Sequence, residues 1–317
     1  MNDKKVAFLF PGQGSQFVGM GQDFYDNFAI ARHTFEQANE ALGFSLSKLC
    51  FEGPNEELRL TENTQPAIFT VSIAAQRVLA EKGIAPSYVA GHSLGEYSAN
   101  VAAGTLSFAD AVRTVRDRGR FMQEAVPAGQ GAMAAILSLA VEDVLKVCEE
   151  ASAETGGIVA AANINTPSQI AISGATAAVE RAMVLAKARG ARKVVHLAVS
   201  APFHCPLMQP AQDRLAGLLN ALPFQTAAFP VLVNVDAKLV SAPDQLRDAL
   251  IRQVTGTVRW VESMQLLIAE RPDFFLEVGP GKVLSGLLRQ IDREQKHAHV
   301  QDCRTLAEAL EALGEGA

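Results

Sequence analysis

Gly91-His92-Ser93-Leu94-Gly95 forms a G-x-S-x-G pentapeptide. A nucleophilic serine on a sharp strand-to-helix turn needs neighbours two before and two after that are nearly free of side chain. Gly91 and Gly95 meet that demand. Residues 87–90 read as a short strand, and residues 96–103 as a helix of small side chains. Ser93 therefore falls at a helix N-terminus, where unpaired backbone N–H groups stabilise a developing oxyanion. The same five residues also read as a glycine turn with an incidental serine, so partners for Ser93 decide between the two.

A serine hydroxyl needs a base. The chain offers His33, His92, His196, His204, His297 and His299. His33 falls on an exposed-looking helix, His196 in a strand, and His92 beside the serine, facing the other way. His204 sits in the irregular, proline-flanked run Ala201-Pro202-Phe203-His204-Cys205-Pro206, the kind of loop that carries catalytic groups. His204 is one candidate base and a tail histidine, His297 or His299, is the rival. Cys205 could supply a thiol, but adjacent side chains seldom face each other, and a packed cysteine suits it better.

Two further features bear on chemistry. In the helix from Ser107 to about residue 124, Phe108, Ala111, Val112, Val115, Gly119 and Met122 share one stripe. Arg113, Arg116 and Arg120 lie opposite, whereas Arg118 projects from the flank of the apolar stripe. It is either an arginine that snorkels to water or a partly buried guanidinium kept for an anionic ligand. Pro11-Gly12-Gln13-Gly14-Ser15 ends a buried strand over 6–10. The third glycine of a dinucleotide fingerprint would fall on Phe17, and no strand-borne acid follows at the expected distance. A strand-end loop of exposed N–H groups, half of an oxyanion hole, fits better.

The elements that must position these groups alternate between strand and helix. A helical pattern covers 28–41. Pro66 stands near the first turn of a long apolar helix ending at about 81. Residues 127–131 change composition, and 128–197 then read βαββαβ, the order of a ferredoxin-like unit. The chain returns through 200–206 to a helix over 208–221 and a strand over 229–235. A helix ending at 252–254, a helix from Trp260 and a buried strand over 274–278 follow. The tail from Asp292 reads as charged and peripheral.

Composition bounds the rest. With 317 residues, 49% hydrophobic and 20% charged, the chain suits a globular enzyme with one large α/β body and a smaller part. Net charge −6 and no basic aromatic stripe argue against nucleic acid. No apolar run approaches the roughly 18 residues of a membrane span. Met1-Asn2-Asp3-Lys4-Lys5 has no signal-peptide layout. Cys50, Cys148, Cys205 and Cys303 are scattered, giving neither a metal set nor a disulfide framework. A cytoplasmic protein is expected.

Five segments together resemble one family. They are Pro11-Gly12-Gln13-Gly14-Ser15-Gln16, Gly91-His92-Ser93-Leu94-Gly95-Glu96-Tyr97, Arg118-Gly119 with Phe121-Met122, Ala201-Pro202-Phe203-His204, and Glu277-Val278-Gly279-Pro280. In that order, and across essentially the whole chain, they resemble the motifs of the malonyl-CoA:acyl-carrier-protein transacylases. The resemblance implies an α/β fold, with an α/β-hydrolase-like domain over 1–127 and 198–317 and an inserted ferredoxin-like domain over 128–197. It implies Ser93 as acyl acceptor, His204 as base, and the backbone N–H groups of Gln13 and Leu94 as oxyanion hole. Arg118 would take the malonyl carboxylate, and the main-chain carbonyl of Gln253 would orient the histidine, which explains why no triad aspartate stands out. Phe203 and Met122 would border the acyl pocket, a bulky residue at 203 favouring malonyl over methylmalonyl.

The implied partners are malonyl-CoA and acyl carrier protein, with no cofactor and no metal, and a monomer is expected. A carrier protein is typically acidic, so an acidic chain needs a local basic surface. Lys187, Arg189, Arg192 and Lys193 offer one, though such a run is also a merely solvated face. Fatty-acid synthesis, a polyketide synthase or a malonate decarboxylase system could use this transfer. A serine hydrolase or a silent binding module of the same fold is the competing class.

Overall fold

The computed structural model describes residues 4–199 and 201–314; Met1–Asp3 and Ser200, at the start of the expected return loop, lie outside them. β1 (Val6–Phe10) is buried along its length, as five apolar residues dictate. Phe8 and Phe10 enter one hydrophobic cluster while Ala7 and Leu9 enter another, so the sheet built on β1 is covered on both faces. Five helices follow: α1 (Gln22–Asn27), α2 (Ala29–Leu42), α3 (Leu46–Glu52), α4 (Asn55–Leu58) and α5 (Thr61–Glu81). β2 (Tyr88–Gly91) returns parallel to β1 with Gly91 opposite Phe10. α6 (Gly95–Ala102) and α7 (Phe108–Glu124) come next, α7 capped by Ser107, whose side chain accepts from the Asp110 N–H.

The chain then builds a second sheet. β3 (Gly131–Leu137), α8 (Val141–Thr155), β4 (Val159–Thr166), β5 (Gln169–Ala175), α9 (Thr176–Ala188) and β6 (Lys193–His196) give the expected βαββαβ order. The strands pair antiparallel in the order β4-β5-β3-β6. α8 and α9 close one face over Ile136, Ile170 and Ile172. From the other face, Met133, Ala162 and Ala171 join the large body's core. Beyond the return loop come α10 (Gln209–Ala221), β7 (Val231–Val233), β8 (Lys238–Val240), α11 (Pro243–Arg252), α12 (Trp260–Ala269), β9 (Phe274–Val278), α13 (Val283–Ile291), β10 (His297–Val300) and α14 (Cys303–Leu313). The large sheet runs β10-β9-β1-β2-β7-β8, all neighbours parallel except β7 and β8. It is an α/β-hydrolase-like body carrying a ferredoxin-like unit.

Three sequence expectations change. The tail is not peripheral: β10 is the edge strand of the large sheet, and α14 buries Leu306, Ala309 and Leu313. Its half-buried residues, His297-Ala298-His299, read as polar because an edge strand is covered less fully. Pro66 is not in a first turn, since α5 starts at Thr61 and runs through it. The strand over 229–235 is shorter, and a hairpin partner, β8, follows it.

Candidate active site

The ends of β1 and β2 place two loops side by side at the carboxyl edge of the parallel strands, where open α/β sheets bind ligands. Ser93 has φ 51°, a left-handed conformation costly for a residue with a Cβ. The glycines around it are sterically required. A Cβ on Gly91 would lie 1.9 Å from the Gly95 carbonyl, and one on Gly95 would lie 2.0 Å from the Phe10 oxygen. The Ser93 N–H donates to Asn234 Oδ1 at 2.7 Å. Among the described residues, the N–H groups of Gln13 and Leu94 donate to no protein acceptor, and both residues line the cavity beside Ser93.

His204 Nε2 lies 2.7 Å from Ser93 Oγ. Its Nδ1 lies 2.9 Å from the Gln253 carbonyl oxygen, which can only accept, so Nδ1 carries the proton and Nε2 is left to take one. Burial, then the neighbouring Arg118 charge, push the imidazole down to about 3. The tail histidines lie on β10, separated from β1 by β9. His92 turns its Nε2 to Asn165 Oδ1 at 2.8 Å and packs its ring 5.2 Å from Trp260. Cys205 points its thiol at the Pro202 carbonyl, and burial raises it. Of the six histidines, only His204 meets Ser93.

Arg118 is 1% exposed, so it does not snorkel. Gly119 lets α7 press against α5, since a Cβ there would lie 2.6 Å from the Thr61 oxygen. Arg118 Nη1 donates to Gln65 Oε1 at 2.8 Å. Nη2 donates to Gln253 Oε1 at 2.9 Å and to Ser93 Oγ at 3.1 Å. Those acceptors are neutral, and among the described residues no carboxylate pairs with Arg118 within 4.0 Å. A buried cation so placed suits an incoming anion.

A cavity of about 280 Å³ opens over these groups. Gln13, Ser93, Arg118 and Met122 form one wall, and Met133 and Ala171 of the small sheet form another. Phe203, 8% exposed, borders it beside His204. Beneath Ser93 lies a polar layer of Glu96, Asn234 and Gln253, of which the sequence assigns a role to Gln253 alone. Glu96 Oε2 accepts from the Asn234 N–H at 2.9 Å and from Gln253 Nε2 at 2.8 Å. Burial pushes this carboxyl up to about 7, against those two hydrogen bonds and the Arg118 charge. The available signal was a lone acid in a helix of small residues.

The remaining expected residues are elsewhere. Glu277 caps α13 by accepting from Leu284 N at 2.9 Å and Ser285 N at 2.7 Å, so its motif is architectural. Lys187, Arg189, Arg192 and Lys193 are exposed, and Arg189 is ion-paired with Glu150. No group of three or more His, Cys, Asp or Glu among the described residues could hold a metal ion.

Known proteins resemble this chain throughout. The model of the acyl transferase domain matches residues 7–308. A malonyl CoA-acyl carrier protein transacylase of Bacillus subtilis (strain 168) is 50% identical over 311 residues, spanning 98% of each chain. An acyl carrier protein S-malonyltransferase of Vibrio cholerae is 44% identical with a TM-score of 0.94, covering 96% of this chain and 99% of that one. A malonyl-transacylase solved in complex with a type II polyketide acyl-carrier protein is 45% identical with a TM-score of 0.94, covering 97% and 99%.

Proposed function

The chain belongs to the acyl transferase domain family and, within it, to the malonyl CoA-acyl carrier protein transacylases, and from that premise we propose how its site works. It is an acyltransferase that moves malonyl from malonyl-CoA to acyl carrier protein in fatty-acid synthesis. Ser93 Oγ attacks the thioester carbonyl while His204 Nε2 takes its proton. The Gln13 and Leu94 N–H groups hold the oxyanion. Collapse breaks the C–S bond, the coenzyme A thiol leaves with the proton from His204, and a malonyl-Ser93 ester remains. The carrier's phosphopantetheine thiol then gives its proton to His204 and attacks the ester, and Ser93 Oγ regains a proton as it leaves. This is a ping-pong cycle. The thiol leaves readily near neutral pH, so oxyanion stabilisation matters more than acid assistance.

One observation carries this reading: Ser93 Oγ stands 2.7 Å from His204 Nε2 and 3.1 Å from Arg118 Nη2. A base and an unpaired buried cation meet at one hydroxyl, which favours carboxyacyl transfer over generic hydrolysis. Arg118 selects carboxylated acyl groups because an acetyl group would leave its charge unpaired. Phe203 and Met122 narrow the cavity, and a bulky Phe203 favours malonyl over methylmalonyl.

The chemistry uses no cofactor beyond the pantetheine arms of substrate and partner. We assign 128–197 as an inserted domain between 1–127 and 198–317, and the exposed run of Lys187, Arg192 and Lys193, with Arg189, as the carrier's docking patch. We further propose a monomeric, cytoplasmic enzyme; no helix among the described residues is long and apolar enough to cross a membrane. A polyketide carrier as acceptor is a second reading, favoured by the likeness to the polyketide-associated transacylase. Intact-protein mass spectrometry after brief malonyl-CoA exposure tests the reaction. One malonyl adduct mapping to the Ser93 peptide is expected. No adduct, or one elsewhere, overturns the reading, and free malonate released rapidly without carrier points to a hydrolase.

A further inference from the structure

α6 carries a fully buried acid, Glu96, whose two oxygens are used unequally. Oε2 accepts from Asn234 N and Gln253 Nε2, while Oε1 has no hydrogen-bond partner among the described residues. This fixes the Gln253 amide. Its NH2 end meets two acceptors, Glu96 Oε2 at 2.8 Å and the Ser93 carbonyl at 2.9 Å. Its oxygen is therefore the end turned to Arg118 Nη2, at 2.9 Å. The opposite flip would set the NH2 group against a guanidinium and the oxygen against two acceptors, so every contact would be mismatched. Gln253 also offers its main-chain oxygen to His204 Nδ1, and Asn234 accepts from the Ser93 N–H. One carboxyl oxygen thus stands a single residue away from the anchor, the base and the elbow.

We propose that Glu96 is a positioning residue for the acyl-carboxylate site, fixing the Gln253 amide so that its oxygen holds Arg118 where the substrate carboxylate arrives. The inference rests on reading Arg118 as that anchor. Arg118 has long rotamer freedom, and a guanidinium held by oriented neutral acceptors loses less on binding than one that must first be ordered. The oriented amide accomplishes this without neutralising the cation. A carboxylate in direct contact with Arg118 would compete with substrate, whereas Glu96 acts through an interposed amide.

The test compares single-turnover acylation by malonyl-CoA and by acetyl-CoA in the full chain and in three variants, with folding checked by circular dichroism and melting. Glu96→Leu removes the acceptor and should lower the malonyl-to-acetyl ratio of kcat/KM by about 10-fold or more, chiefly through a raised KM for malonyl-CoA. Glu96→Gln keeps an oxygen able to accept both bonds and should restore that ratio to within about 3-fold of the native enzyme. Gln253→Leu removes the bridge from its other end and should lower the ratio in the same way, which keeps the proposal testable should Glu96→Leu fail to fold. An equal loss for both acyl groups, an unchanged ratio, or a Gln variant as impaired as the Leu variant overturns the proposal. A native enzyme that forms no malonyl-Ser93 adduct, or whose ratio survives Arg118→Ala, instead overturns the reading on which it rests.

Discussion

Arg118 Nη2 donates to Ser93 Oγ at 3.1 Å, so the guanidinium touches the hydroxyl that faces His204 Nε2. A fixed positive charge at that distance favours negative charge on the oxygen and disfavours a proton on the imidazole. The buried guanidinium, the hydroxyl and the imidazole are thereby coupled through one atom.

Arg118→Ala should lower kcat/KM for malonyl-CoA by roughly 100-fold, the scale of losing a bidentate, charge-assisted pair. Acetyl transfer should rise relative to malonyl transfer. Stopped-flow acylation with both thioesters measures this, and a proportionate loss of the two would reduce Arg118 to a structural role.

Ser93→Ala and Ser93→Gly should both abolish the covalent malonyl adduct. They should differ in stability, because φ 51° at this position strains any residue with a Cβ. The glycine variant should be more stable than the alanine variant by about 1 kcal/mol in denaturant unfolding. Equal stability would show that the elbow is not strained.

The depressed imidazole sets a pH dependence. Above its ordinary value of 6.5, His204 is neutral in both the folded and the unfolded chain. Below 6.5 the unfolded chain binds a proton that the folded site refuses until about 3, so stability falls with pH across that window. At pH 5 the loss is roughly 2 kcal/mol, from about 1.4 kcal/mol per unit. The stability gap between the native protein and His204→Ala should therefore shrink from pH 7.5 to pH 5. The acylation kcat/KM should show no tenfold-per-unit fall starting at 6.5; such a limb would place His204 at its ordinary value.

Reversing Lys187 and Arg192 to Glu should raise KM for carrier protein by about 10-fold and spare acylation by malonyl-CoA. These two are better probes than Arg189, which already pairs with Glu150. Unchanged carrier kinetics at low salt would remove this surface from docking.

The pentapeptide, the Gln13 loop and the odd phase of Arg118 are legible in the sequence because each is local: a turn, a strand end, a helical stripe. His204 stood out only by its loop, and the geometry separates it from the tail histidines that shared its candidacy. Glu96 stands inside the Gly91–Tyr97 motif with no role to read from it, and Asn234 and Gln65 are not legible at all. Their partners lie far along the chain, as in the Asn234–Glu96 and Ser93–Asn234 bonds, 138 and 141 residues apart. No periodicity records such a meeting. β10 was missed for a related reason, since only its neighbour β9 tells a short, half-polar run that it is a strand.

The small sheet is stitched to the large body by Val258, whose N–H reaches the Ala162 oxygen at 2.8 Å and whose oxygen receives the Ile164 N–H at 2.9 Å. Ser93, His204 and Arg118 sit on one side of this seam, and the wall formed by Met133 and Ala171 sits on the other. Such a division is modular. Strands β3 to β5 can vary and recut their own share of the cavity while Ser93, His204, Arg118 and Phe203, all outside them, keep their places, so one wall and the groups that meet at Ser93 can evolve at separate rates.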